Sequence, residues 1–169
     1  MGLKVKYTTK HDDFPEMIKR LEAVDGMGVE VGVLKGEHAW LASIHEYGCN
    51  IPVTPKMRAF LRGKGLYLKK STTIIRIPER SFLRTGYDKN REAVMQKGQM
   101  LLKQVADGKM SPKGCMTALG LELSSKIKDH AVELNSPGNH PFTVDQKGSS
   151  NPLVDSGDMI GGITWRKAK

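Results

Sequence analysis

A chain of 169 residues, 38% hydrophobic and 27% charged, is long enough to bury a core without disulfides or metals, and it reads as a single domain, 1–169. No apolar run approaches the roughly 20 residues that span a bilayer, which argues against a membrane partner. The 27 Lys and Arg are spread along the chain rather than gathered in one tail, so the formal net charge of +9 reads first as solvated surface, with nucleic acid or an acidic protein face as the partners it would admit.

Taken in order, LKVKY at 3–7 alternates as a half-exposed strand does. The opening segment has no apolar h-region, and Lys6 stands where a myristoylation signal needs Ser or Thr, so the expectation is a chain made in the cytoplasm. Asp13, Pro15 and Glu16 open a helix with a capping box, and Phe14, Ile18, Leu21 and Val24 share one face before Asp25-Gly26 stops it. GVEVGVL at 28–34 puts Val29, Val31 and Val33 on one side of a strand. HAWLASIHEYG follows as a short helix with Trp40, Ile44 and Tyr47 on one face, stopping at Gly48.

Thr54-Pro55 then caps a helix carrying Met57, Phe60 and Leu61, and TTIIRI at 72–77 reads as a strand that Pro78 closes. Residues 49–77 are therefore expected to form an excursion, a hairpin with a helical tip. Two longer helices follow. The first is placed with its cap at Asp88 and buries Val94, Gly98, Leu101 and Val105; the second starts at Ser111-Pro112 with the stripe Met116, Leu119, Leu123, Ile127 and Ala131. Residues 135–152 read as a long loop, and a last strand falls at about 163–166. The order predicts an α+β fold, with a mostly antiparallel sheet packed against the two longer helices.

The chain contains no nucleophile elbow, phosphate loop or dinucleotide fingerprint. Cys49 and Cys115 lie too far apart in sequence for a zinc pair and read as free thiols. His45-Glu46 is the nearest approach to an acid–base pair, yet adjacent helical residues diverge by about 100°. Asp155, Ser156, Gly157 and Asp158 are explained by capping and turn chemistry. The reading has no catalytic residue, no cofactor and no metal. Arg58, Arg62, Lys64, Lys69, Lys70, Arg76, Arg80 and Arg84, with Tyr67 and Phe82 among them, are the candidates for an interface or for DNA.

Three stretches carry a resemblance: VEVGVLKGEHAWLASIHEYG, IPERSFLR at 77–84, and KGSSNPLVDSGDMIGGITWRK. In this order, with two helices between the last two, they resemble the neck or tail-completion proteins of tailed bacteriophages, including the Mu-type virion-morphogenesis group. Two positions depart from the pattern: Ser81, where relatives often have Pro, and Asp158, where many have Arg. The resemblance implies a non-enzymatic virion component, assembled in the host cytoplasm into a homo-oligomeric, six-fold ring at the head–tail junction. Its partners would be connector, tail-terminator or tail-tube proteins, with packaged DNA in the lumen. It also implies a fold-signature role for Tyr47, Gly48, Pro78, Phe82, Leu83, Pro152, Leu153, Asp155, Gly157, Ile163 and Trp165. A tail-terminator or other adaptor ring is the alternative of the same class. A basic nucleic-acid-binding protein using residues 58–84 is the alternative of another class.

Overall fold

Helices and short antiparallel strand pairs alternate along the chain in the computed structural model, which describes residues 13–168. The strand expected at 3–7 lies outside them. The elements are α1 (Phe14–Glu22), β1 (Val29–Val33), α2 (Glu37–Tyr47), β2 (Cys49–Pro52), α3 (Pro55–Gly63), β3 (Ile74–Ile77), α4 (Phe82–Ala106), α5 (Pro112–Glu133), α6 (Pro141–Lys147), α7 (Asp158–Gly161) and β4 (Ile163–Lys167). The fold is α+β, as the sequence predicts. The strands form two separate antiparallel pairs, β1 with β4 and β2 with β3. In the first pair Val33 faces Ile163 and Val31 faces Trp165.

Local chemistry sets several boundaries. Thr54 Oγ1 accepts from Met57 N at 3.1 Å and opens α3; Ser111 Oγ accepts from Gly114 N at 3.1 Å and opens α5. At α1, Asp13 holds the cap position without a side-chain cap bond, and Glu16 pairs with Lys19 at 3.2 Å rather than closing a box. The α4 helix starts at Phe82, six residues before the expected cap at Asp88, because its N-terminus is satisfied from another element. Residues 135–152 are not wholly loop. They contain α6, which His140 Nδ1 caps from Phe142 N at 3.2 Å and Gly148 ends at φ 68°.

The core has two parts along the α4–α5 pair. One gathers Phe82, Leu123, Ile127 and Ala131 with Ala42, Leu153, Met159, Ile160 and Ile163, and Val31 and Val33 pack against it. The other gathers Leu101, Val105, Cys115 and Met116, with Val24 and Val29 alongside. The stripes read for both long helices thus face the core. Two other faces do not: Phe14, Ile18 and Leu21 of α1 stay exposed, as do Trp40 and Tyr47 of α2. The residues that α2 buries are Ala42 and Glu46. Its position is set by what it caps rather than by its aromatic stripe.

One helical glycine has a packing reason. A Cβ on Gly120 would lie 2.3 Å from Trp165 Cδ2, so β4 closes on α5 through the flat indole face. Ala normally favours a helix interior over Gly by about 1 kcal/mol. Here overpacking of about 1–3 kcal/mol opposes that gain. Gly120→Ala is expected to lower stability by about 1 kcal/mol in urea unfolding; a gain in stability would show that Trp165 shifts at no cost.

Candidate functional site

The first two resembling stretches meet where α2 ends and α4 begins. Glu46, 2% exposed, sits on the last turn of α2 with its carboxylate at the N-terminus of α4. Its Oε2 accepts from Leu83 N at 2.8 Å; its Oε1 accepts from Arg84 N at 3.1 Å, Ser81 Oγ at 2.8 Å and Arg84 Nε at 3.0 Å. The first N–H groups of a helix lack intrahelical acceptors, and a carboxylate there also meets the positive end of the helix dipole. Ser81, one of the two departures from the family pattern, supplies a hydroxyl donor that proline lacks. Gly48 allows the chain to turn back beside this junction. It has φ 72°, and a Cβ would meet Glu79 N at 2.9 Å and Ile77 O at 3.0 Å.

The two arginines of the second stretch part company. Arg80 is 4% exposed and lies inside the fold, so it presents no surface to a partner. Its Nε donates to Pro137 O at 2.7 Å, and Nη2 donates to Gly138 O at 3.0 Å and Asn139 Oδ1 at 3.1 Å. Nη1 lies 3.3 Å from His45 Nδ1, and Arg80 N donates to His45 O at 2.6 Å. Burial lowers the Arg80 pKa, and neutral acceptors alone receive its hydrogen bonds. Arg84 is half exposed, paired with Glu46 and with Glu79 at 2.7 Å, and its guanidinium lies 5.1 Å from the Tyr47 ring centre.

Because a guanidinium only donates, His45 Nδ1 accepts and carries no proton. Burial, and then the nearby charges of Arg80 and Lys147, lower the His45 pKa to about 4. The unfolded chain therefore binds a proton that the folded chain refuses between about pH 6.5 and 4. Stability is expected to fall across that window as pH drops, by about 2 kcal/mol from this group, discounted for its partial exposure. His45→Gln should flatten the slope in acid urea titrations; an unchanged slope would refute the assignment.

The third stretch is closed by Asn151. Its Nδ2 donates to Val132 O at 2.7 Å, while Oδ1 accepts from Leu153 N at 2.9 Å and Val154 N at 3.0 Å. Pro152 and Leu153 are buried behind it, and Ile163 is 1% exposed. Gly157, at φ 91°, stands at the N-cap of α7. The turn expected from Asp155 is made instead by its neighbours. Ser156 Oγ donates to Asp158 Oδ2 at 2.6 Å and accepts from Asp158 N at 3.3 Å.

Asp155 and Ser156 do share a cavity of about 320 Å³ with His38, His45 and Lys147. Among the described residues no hydrogen bond joins either of them to a histidine. Ser156 Oγ is directed at the Asp158 carboxylate instead, and Lys147 donates to Asn151 O at 3.1 Å. Among the described residues no three metal-ligating side chains cluster, and no helix is long and apolar enough to cross a membrane. Cys49 and Cys115 are free thiols, the latter buried.

The remaining candidates lie on the excursion, an arm built from β2, α3 and β3. Arg58 is spent inside it: Nη1 donates to Leu68 O and Lys69 O, and Nη2 donates to Thr72 O at 2.7 Å. Arg76 Nε donates to Asn50 Oδ1 across the strand pair at 3.3 Å. Arg62, Lys64, Lys69 and Lys70 are exposed. Sequence reasoning missed the roles of Glu46, whose partners lie 35 to 38 residues away, and of Asn151, whose local turn onto Leu153 N and Val154 N the Asn-Pro pair did signal. The chain matched no family model, no curated protein and no solved structure.

Proposed function

We propose that the chain is a non-enzymatic structural subunit of a tailed-phage virion, forming a six-fold ring at the head–tail junction that completes the tail or joins it to the head. The observation that carries this reading is that the three signature stretches share one core. Ala42 of the first, Phe82 of the second and Leu153, Met159, Ile160 and Ile163 of the third pack in the same cluster, and Glu46 of the first caps the helix that begins in the second. Glu46, half of the adjacent pair that looks most like chemistry in the sequence, is consumed in holding backbone. Exposed Trp40, Phe60, Met95 and Met100 supply apolar surface that an assembling subunit covers with its neighbours.

Light scattering on the purified chain is expected to give one oligomer, and negative-stain microscopy closed rings. Mass spectrometry of purified particles should find the protein at the stoichiometry of a neck component. A monomer at every concentration, absent from particles, would overturn the reading.

A further inference from the structure

The charge of this chain is not distributed evenly. Residues 49–77 hold seven Lys or Arg and no Asp or Glu, while the other 140 residues hold 20 basic against 18 acidic, a net of +2. The arm therefore carries seven of the nine excess positive charges. The fold concentrates them further. Arg58 binds the carbonyls of Leu68, Lys69 and Thr72, folding that turn against α3, and Leu66 N donates to Leu61 O at 2.9 Å. The exposed Lys69 and Lys70 are thereby brought to the helix whose last turn bears Arg62 and whose C-cap is Lys64. They lie past the Pro52–Ile74 end of the strand pair, away from its junction with α2 and α4. No ion pair within the described residues neutralises these four side chains, and Tyr67 stands 75% exposed among them.

We infer that the tip of the arm binds the phosphate backbone of double-stranded DNA through Arg62, Lys64, Lys69 and Lys70. Protein interfaces are depleted in lysine and combine charges with an apolar centre, whereas three of these four cations are lysines. A duplex presents a phosphate about every 1.7 Å along its axis, and neutralising those phosphates releases condensed counterions. A surface with no carboxylate anywhere in its 29 residues contains nothing to repel them. Contacts of this kind read no base sequence. The inference does not rest on the ring, since a lone subunit presents the same tip.

The test is fluorescence anisotropy of the full chain with a labelled duplex of mixed sequence, across a salt series. With four phosphate contacts at about 0.9 per contact in the log–log slope, affinity falls about 150-fold between 50 and 200 mM salt. The variant R62Q/K64Q/K69Q/K70Q is expected to lose that salt-dependent binding. A body variant with the same loss of charge, K35Q/K97Q/K103Q/K113Q, is expected to stay within a few-fold of the parent. If far-UV circular dichroism shows the tip variant unfolded, the pairs R62Q/K64Q and K69Q/K70Q decide, each lowering the slope by about 1.8. Equal losses in tip and body variants, an unchanged slope, or no binding by the parent would overturn the inference. So would tip-dependent binding to polyglutamate without binding to DNA, which would assign the arm to an acidic protein.

Discussion

Glu46→Ala is expected to destabilise the fold by about 2–4 kcal/mol, measured by urea unfolding, the cost of leaving two helix N–H groups and a hydroxyl without their buried acceptor. The carboxylate is 2% exposed and accepts four hydrogen bonds, two from the first N–H groups of a 25-residue helix. Alanine leaves those N–H groups and the Ser81 hydroxyl without an acceptor, while the half-exposed Arg84 keeps Glu79. Whole domains are stable by only about 5–15 kcal/mol, so this one change consumes a large share. Glu46→Gln separates charge from shape. Its amide oxygen keeps part of the acceptor set, while its NH₂ meets backbone donors, so about half of the loss is expected. A loss under about 1 kcal/mol for the alanine variant would show that α4 is capped by water.

That junction also shows why some of the fold is legible in sequence and some is not. The stripes of α4 and α5 follow from spacing alone, because each helix buries a continuous face. The excursion is legible because Thr54-Pro55 and Pro78 are local punctuation. The start of α4 is not, because its cap stands 36 residues upstream of Phe82 and Ser81 makes no cap bond of its own. Asp88 has the right residue type and lies inside the helix. The apolar face read on α2 is real as a pattern, but Trp40 and Tyr47 point outward because Glu46 must point inward.

The candidate cations divide for the same reason. Sequence places eight basic residues in one stretch and cannot tell a buried guanidinium from a surface one, since both depend on which carbonyls lie near. Arg58 and Arg80 prove to be internal donors, and Arg84 is shared between Glu46, Glu79 and Tyr47. What remains exposed is mostly lysine at the tip. The absence of acids from 49–77 was open to reading, but a net charge taken over the whole chain dilutes it.

Arg80→Ala is expected to cost about 3 kcal/mol, because it removes a buried guanidinium from three oxygen acceptors and a ring nitrogen at once. The damage should be local before it is global. Residues 137–139 are held by this side chain, and α6 begins immediately after them. Freed of it, the segment 135–140 should be cut by proteases under conditions where α4 and α5 stay protected from hydrogen exchange. Arg80→Lys keeps the charge but has no planar fork to reach Pro137 and Asn139 together, so it should recover less than half of the loss. Arg76→Ala, a surface change that forfeits a single bond to Asn50, should cost under about 1 kcal/mol and serves as the comparison. If Arg80→Ala unfolds no more easily than Arg76→Ala and 135–140 stays resistant, then α6 is positioned by its packing and the buried arginine is incidental to it.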